Sequence, residues 1–141
     1  LSIDQVLNQD GTVKAEIKLR AEQTKGRHAR TVFLPQKLRD ELAYYLKFRA
    51  VSNPDIPLFF TAKRSGFSPN TLVQHFFWLY REAGISGASS HSGRRNFITT
   101  LANRGISVRV LASLAGHRSI AVTQKYIDVN DDMKRNAVEL L

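Results

Sequence analysis

The chain has 141 residues, with 21 lysines and arginines against 12 aspartates and glutamates, which gives a formal net charge of +9. This length predicts a single domain with an ordinary apolar core, and a domain this basic most often binds nucleic acid. The chain contains no cysteine, which excludes disulfides and thiolate metal sites and favours a cytoplasmic protein. No segment has the composition of a membrane span or of a secretory signal.

The first elements predicted are the two strands of a β-hairpin, over about residues 12–34. Residues 13–19 alternate apolar and polar side chains, as a half-buried strand does. Lys25 and Gly26 then mark a turn, and the return strand is expected over residues 30–34. The sequence therefore predicts a hairpin with Lys25 at its tip.

The rest of the chain, residues 36–141, is predicted to be helical. Pro35 is expected to begin a helix that continues through Phe48 and ends near residues 52–54. A short buried segment and a second helix follow, at residues 59–61 and from Ser68 and Pro69 onward. The predicted fold class is thus α+β and mainly α-helical, with a small antiparallel β-sheet near the N-terminus.

Capping residues mark the helices of the last third. Ser89 and Ser90 suit the N-terminal end of a helix over about residues 90–104, and Gly105 suits its C-terminal end. The next three helices are expected between Ser107 and Gly116, from Ser119 to beyond Tyr126, and over residues 131–141. The apolar side chains expected to pack are Phe97, Ile98 and Leu101 in the first of these helices and Val110, Leu111 and Leu114 in the second.

Four residues in these helices are of types that act on phosphodiesters. His91 and Arg94 lie three apart in the sequence HSGRR, so both project from one face in the first turn of a helix. Free backbone N–H groups and the helix dipole already favour a phosphate there. His117 follows the sequence LAG, and Tyr126, nine residues further on, is a candidate nucleophile.

The order and spacing of these residues resemble the tyrosine recombinase, or phage integrase, family. Its signature is H-x-x-R, then His or Trp after an L-G-H-like turn, then Tyr nine residues later. The sequence QTKGRHARTVFLP at residues 23–35 is also similar to the family's β-hairpin, whose turn carries a catalytic lysine. The resemblance covers nearly the whole chain.

The resemblance implies a site-specific DNA recombinase or integrase, as found in mobile elements, that breaks and rejoins DNA through a 3′-phosphotyrosyl intermediate. Tyr126 would be the nucleophile, and Arg94 and His117 would bind the phosphate. His91 would either hydrogen-bond the phosphate or accept the tyrosine proton, and Lys25 would protonate the departing oxygen. Neither a metal nor another cofactor is implied. The partner would be double-stranded DNA, with DNA-binding contributions expected from Arg27, Arg30, Arg95 and Arg118.

Two departures from the family pattern lead to further expectations. The family's first catalytic arginine precedes a segment similar to LSIDQV at residues 1–6, so we expect both this arginine and the N-terminal DNA-binding domain to be absent from a partial catalytic domain spanning 1–141. Such a fragment alone is expected to be inactive. Gly93 and Arg95 replace the Leu and His of the common H-x-L-R-H form, while H-x-x-R itself is kept.

Other functions remain open at the level of sequence. A non-catalytic DNA-binding module would use the same basic surface, and a type IB topoisomerase-like enzyme would use the same tyrosine to relax DNA without exchanging strands. Recombination would require a homo-tetramer of the full-length protein on DNA. Residues 131–141 are equally compatible with packing onto their own chain or onto a neighbouring protomer.

Overall fold

The computed structural model describes residues 1–24, 26–49, 55–63 and 65–141. These residues form two compact units, Leu1–Ser68 and Pro69–Leu141. The secondary structure elements in chain order are α1 (Ile3–Val6), β1 (Glu16–Leu19), a 3-10 helix (Ala21–Gln23), β2 (Arg30–Phe33), α2 (Gln36–Lys47), α3 (Pro69–Glu82), α4 (Ser92–Asn103), α5 (Val108–Ala115), α6 (Ile120–Gln124) and α7 (Asp131–Val138).

The first unit contains the predicted hairpin. Strands β1 and β2 pair antiparallel, in a register that places Glu16 opposite Phe33 and Leu19 opposite Arg30. The prediction of a strand from residue 13 was partly wrong, since Val13 forms only an isolated bridge with Leu7 before β1 begins at Glu16. The turn that leads into Val13 is closed by Thr12, which donates its hydroxyl and its backbone N–H to the Asp10 carboxylate at 2.6 and 2.9 Å. These hydrogen bonds stabilise the charged carboxylate and lower the pKa of Asp10 below its usual 3.8.

Helix α2 contributes Leu42 to the core of the first unit. The buried residues of this core are Ile3, Val6, Val13, Ile17, Leu42 and Leu58. Pro35 is the N-cap of α2 rather than its first helical residue, and the helix ends at Lys47, before the expected residues 52–54, which lie outside the described part of the chain. The prediction of a buried segment at residues 59–61 was wrong. Phe59 and Phe60 are 53% and 38% exposed, and the core is reached one residue earlier, by Leu58.

The second unit is helical throughout. Helix α5 contacts both α4 and α6, and α4 and α5 supply the buried core residues Ile98, Ala102, Leu111 and Ala115. Helix α3 begins at Pro69, close to the prediction, but it buries none of its residues, and α7 buries none either. Among the described helices, none has the length and apolar character needed to cross a bilayer.

The predicted core of the second unit was only partly right. Ile98 and Leu111 are fully buried as expected, but Phe97, Val110 and Leu114 are 44%, 48% and 37% exposed. The alanines at 102, 112 and 115 are buried instead. Ala102 and Ala115 belong to the core that α4 and α5 share, and small side chains at such positions let two helices pack closely.

Candidate active site

The first turn of α4 presents His91 and Arg94. The helix begins at Ser92, and its N-cap is His91, not Ser89 or Ser90 as predicted. Ser89 still contributes, because its carbonyl accepts from the Ser92 N–H at 2.9 Å and its hydroxyl accepts from the His91 N–H at 3.3 Å. Both His91 and Arg94 are exposed, so their side chains are accessible to a phosphate at this helix terminus.

The C-terminal end of α5 fixes the position of His117. Gly116 adopts a left-handed conformation with φ of +70°, which is easily adopted only by glycine. The Gly116 N–H donates to the Ser113 carbonyl at 3.0 Å, and the His117 N–H donates to the Ala112 carbonyl at 2.9 Å. This pair of bonds is the Schellman motif, and it sets the backbone of His117 directly at the end of α5, whose Leu111, Ala112 and Ala115 are buried.

Tyr126 lies in the turn that follows α6. The expectation that the short helix would carry Tyr126 was wrong by two residues, because α6 ends at Gln124. Its start agrees with the prediction, since the Ser119 hydroxyl accepts from the Ala121 N–H at 3.2 Å. Tyr126 is half-buried and packs against the core of the second unit, while its N–H donates to the Thr123 carbonyl at 3.0 Å.

These three elements bring Arg94, His117 and Tyr126 together. Arg94 Nη1 lies 3.4 Å from His117 Nε2 and donates to the Ala115 carbonyl at 3.1 Å. The rings of His117 and Tyr126 stack with their centroids 6.0 Å apart and their planes 18° apart. The guanidinium of Arg95 lies 6.0 Å from the centroid of the Tyr126 ring, within the range of a cation–π contact.

Arg94 and Arg95 give this cluster a positive charge. In the described part of the chain, no carboxylate forms a salt bridge with Arg94 or Arg95. The described residues also contain no group of three or more histidines, aspartates and glutamates placed to hold a metal ion. The cluster therefore offers guanidinium and imidazole donors to an anion beside a phenol, which is the donor set that suits a phosphodiester.

The other predicted site residues are His91, Lys25, Arg27, Arg30 and Arg118. The imidazole of His91 makes no hydrogen bond or ring contact with any described residue. Lys25 lies outside the described residues. Arg27 is exposed and lies between β1 and β2, and Arg118 is exposed beside His117. Arg30 belongs to β2 and lies opposite Leu19 of β1.

One residue of the site was not predicted. The Thr123 hydroxyl lies 2.8 Å from His117 Nδ1, and Thr123 is fully buried. It is three residues before Tyr126 and six after His117. The signal available in the sequence was a polar β-branched residue on a short helix between two candidate catalytic residues, but the spacing alone does not identify its partner.

A sequence profile of the phage integrase family matches residues 1–133. The chain belongs to this family. It is 35% identical over 118 residues to the tyrosine recombinase XerA of Pyrococcus furiosus, and 33% identical over 129 residues to a tyrosine recombinase of Thermosipho africanus. These alignments cover 82% and 87% of this chain but 40% and 42% of the two relatives, so the chain spans about two fifths of their length.

Solved structures show the same relationship. The crystal structure of XerA recombinase matches 99% of this chain and 49% of its own, with 27% sequence identity and a TM-score of 0.74. The XerH site-specific recombinase bound to its difH substrate in a pre-cleavage complex matches 98% of this chain and 40% of its own, with 21% identity and a TM-score of 0.61, and this likeness concerns the fold. The predicted fold class, mainly helical with a small antiparallel sheet and similar to a tyrosine recombinase catalytic domain, is confirmed.

Proposed function

We propose that this protein is a site-specific tyrosine recombinase that cuts and rejoins double-stranded DNA through a 3′-phosphotyrosyl bond to Tyr126. The observation that carries the proposal is the contact of Arg94 with His117 at 3.4 Å and the stacking of His117 on Tyr126. Membership of the phage integrase family and the names of the curated relatives support it. A net charge of +9 supports DNA as the substrate.

The proposed chemistry follows from the donor set of the cluster. The Tyr126 oxygen attacks the phosphorus, the bond from phosphorus to the 5′ oxygen breaks, and negative charge builds on the non-bridging oxygens. Arg94 binds these oxygens through two N–H groups, and His117 donates to one of them through Nε2. His91 accepts the phenolic proton, and Lys25 supplies a proton to the departing 5′ oxygen. The roles of His91 and Lys25 rest on the resemblance of their sequence motifs to those of the family.

The covalent intermediate explains how strands are rejoined. Replacement of one phosphate ester by another conserves the energy of the broken bond, so a different 5′ hydroxyl can reverse the reaction without ATP. Exchange between two DNA duplexes requires four cleaved strands, and a homo-tetramer on DNA supplies one Tyr126 for each strand. The proposal places this assembly in the cytoplasm.

The test is to trap the covalent adduct. Full-length protein is incubated with a target site that carries a nick, which lets the released strand end diffuse away, and the products are separated under denaturing conditions. Wild-type protein is expected to give a protein–DNA band. Tyr126→Phe removes only the hydroxyl, so the band should disappear while DNA affinity is kept. Tyr44→Phe, at an exposed tyrosine of the first unit, is the matched control and should give the wild-type band.

The same assay separates the alternatives. A band that persists in Tyr126→Phe contradicts the assignment of the nucleophile, and a wild-type protein that binds DNA without a band indicates a non-catalytic binding module. A wild-type protein that forms the band, relaxes supercoiled DNA and never exchanges strands between two sites would be a topoisomerase-like enzyme. Exchange of flanking DNA between two target sites is the outcome expected for a recombinase.

A further inference from the structure

Thr123 is a buried polar side chain whose hydroxyl is directed at the candidate active site. Its exposed fraction is 0%, and its Oγ1 lies 2.8 Å from Nδ1 of His117. A helical threonine commonly places its hydroxyl on a carbonyl of the preceding turn. Here the hydroxyl bonds to a ring nitrogen six residues earlier, across the turn that separates α5 from α6.

The same residue also holds the nucleophile. The Thr123 carbonyl accepts from the Tyr126 N–H at 3.0 Å, which closes the turn after α6. Thr123 thus contacts His117 through its side chain and Tyr126 through its backbone. Since the two rings stack on each other, Thr123 is bonded to both partners of the stack.

The two ring nitrogens of His117 face different groups. Nε2 lies 3.4 Å from Nη1 of Arg94, and a guanidinium only donates hydrogen bonds. When Arg94 donates to Nε2, the proton of a neutral imidazole is on Nδ1. The Thr123 hydroxyl then accepts a hydrogen bond from the Nδ1–H group. When Nε2 instead donates to a phosphate oxygen, Nδ1 carries the lone pair and the hydroxyl must donate to it.

A hydroxyl can do both, because it carries one donor and two acceptor lone pairs and rotates freely between them. A carboxylate at this position would accept only and would hold the proton on Nδ1 in both states. A valine would provide no partner in either state. The threonine can therefore hold the ring in either neutral tautomer, including the one in which Nε2 carries the proton and donates to a phosphate oxygen.

We infer that Thr123 is a positioning residue that orients His117 toward the scissile phosphate, holds it in either neutral tautomer and couples it to Tyr126. The inference rests on the proposed function, since it assigns a role in the same reaction. Thr123 does not touch the reacting atoms in this account, and it acts through His117.

Thr123→Val and Thr123→Ser test the inference in the full-length protein. Valine keeps the shape and removes the hydroxyl, whereas serine keeps the hydroxyl and removes the methyl group. We expect Thr123→Val to slow adduct formation by about tenfold, the fold-change that corresponds to the loss of one net hydrogen bond, while DNA affinity stays near wild type and the melting temperature falls by no more than about 8 °C. Thr123→Ser should recover most of the rate.

Two further measurements distinguish positioning from a general structural role. In a double-mutant cycle, Thr123→Val should cause little additional loss once His117→Ala is present, because its effect passes through the imidazole. Independently of cleavage, ¹⁵N spectra of histidine-labelled protein, with His117 assigned by its absence in His117→Ala, should show both His117 ring nitrogens shifting in Thr123→Val and returning in Thr123→Ser.

Each result decides the matter. Unchanged chemical shifts of the His117 ring nitrogens in Thr123→Val would overturn the inference. An equal rate loss from Thr123→Val in the wild-type and His117→Ala backgrounds would also overturn it. Parallel loss of melting temperature, DNA affinity and rate in both Thr123 variants would also overturn it, in favour of a packing role. Failure of the recombinase proposal itself would be seen separately, as the absence of a Tyr126-dependent adduct in the wild-type protein.

Discussion

The two units of the molecule hold their candidate functional residues in different ways. In the second unit, the side chains of the site rest directly on the core: Tyr126 packs against it, and Arg94 bonds the carbonyl of the buried Ala115. In the first unit, the region around the hairpin turn is held by local hydrogen bonds. The Thr24 hydroxyl donates to the His28 carbonyl at 2.9 Å and accepts from the His28 N–H at 3.0 Å.

The residues with a positive φ also differ between the two units. In the second unit, the positive-φ positions are glycines, and Gly105 and Gly116 end the two central helices of the site. In the first unit, Gly11 also has a positive φ, but so does a non-glycine residue, Arg27, whose φ is +51°. When side chains of a site pack on the core, a change in core packing displaces them. The geometry of a turn held by local hydrogen bonds depends instead on the residues of the turn itself. This difference leads to four experiments.

The largest effect is expected from the first unit. If Lys25 is the general acid, Lys25→Ala should slow cleavage of ordinary DNA by about 10²–10⁴-fold. A substrate with sulfur at the bridging 5′ position has a better leaving group, which needs little protonation, and it should restore most of the lost rate. Adduct formation on the two substrates is the measurement. Absence of rescue would move Lys25 from acid catalysis to phosphate binding.

Arg94→Ala is expected to have the next largest effect. Loss of a charge-assisted donor to the developing oxyanion costs about 10²–10³-fold in rate. Arg104→Ala is the matched control, since Arg104 is an exposed arginine at the C-terminal end of the same helix. Single-turnover cleavage at saturating DNA should fall for the first variant and stay near wild type for the second. Equal effects would mean that Arg94 contributes only general charge.

A matched pair of core substitutions tests the contrast directly. Ile3 and Ile98 are 1% and 0% exposed, one in the core of each unit. Replacement of either by valine should lower the free energy of unfolding by about 0.5–1.5 kcal/mol. Ile98 lies one turn after Arg94 on α4, so Ile98→Val should also slow cleavage, by up to about tenfold, because small displacements of catalytic groups are costly.

Ile3→Val should leave the cleavage rate of the folded protein unchanged. Denaturant unfolding gives the free energy of unfolding of each variant. Single-turnover cleavage, at a temperature where each variant is folded, gives the cleavage rate. Slowing of cleavage to the same extent by both substitutions would show that the site is coupled equally to both cores, and the comparison between the units would then be wrong.

Much of this architecture could be predicted because it depends on local physics. Ser107 and Ser119 accept from backbone N–H groups at helix starts, and Gly105 and Gly116 take positive φ at helix ends, all as their residue types indicate. The hairpin followed from alternation and a turn. These features require only neighbours within a few residues.

The remainder depends on contacts between elements. Phe97 and Ala102 lie on the same helix, and periodicity favours the larger side chain for the core, yet the phenylalanine is exposed and the alanine is buried. Ala102 is buried because it lies in the core that α4 shares with α5. The bond between Thr123 and His117 is of the same kind, since it crosses a turn whose geometry cannot be obtained from spacing alone.

The smallest effect is expected at Arg27, where the conformation itself suggests a function. A non-glycine residue with φ of +51° costs roughly 1–2 kcal/mol relative to an ordinary conformation. Glycine has no such cost in the folded state but loses more entropy on folding, so Arg27→Gly should change the free energy of unfolding by less than about 1 kcal/mol. The presence of an arginine at such a position is explained if its guanidinium contacts a phosphate.

In that case Arg27→Gly should weaken DNA binding uniformly across sequences and reduce the slope of log Kd against log salt by about 0.9, the value for one phosphate neutralised. Lys47→Ala removes one positive charge from the exposed C-terminal end of α2 in the same unit and should leave that slope unchanged. A slope unaffected by Arg27→Gly would remove Arg27 from the DNA interface. If Arg27→Gly instead raises the free energy of unfolding by more than about 1 kcal/mol, the main effect of the arginine at this turn is backbone strain and not its charge.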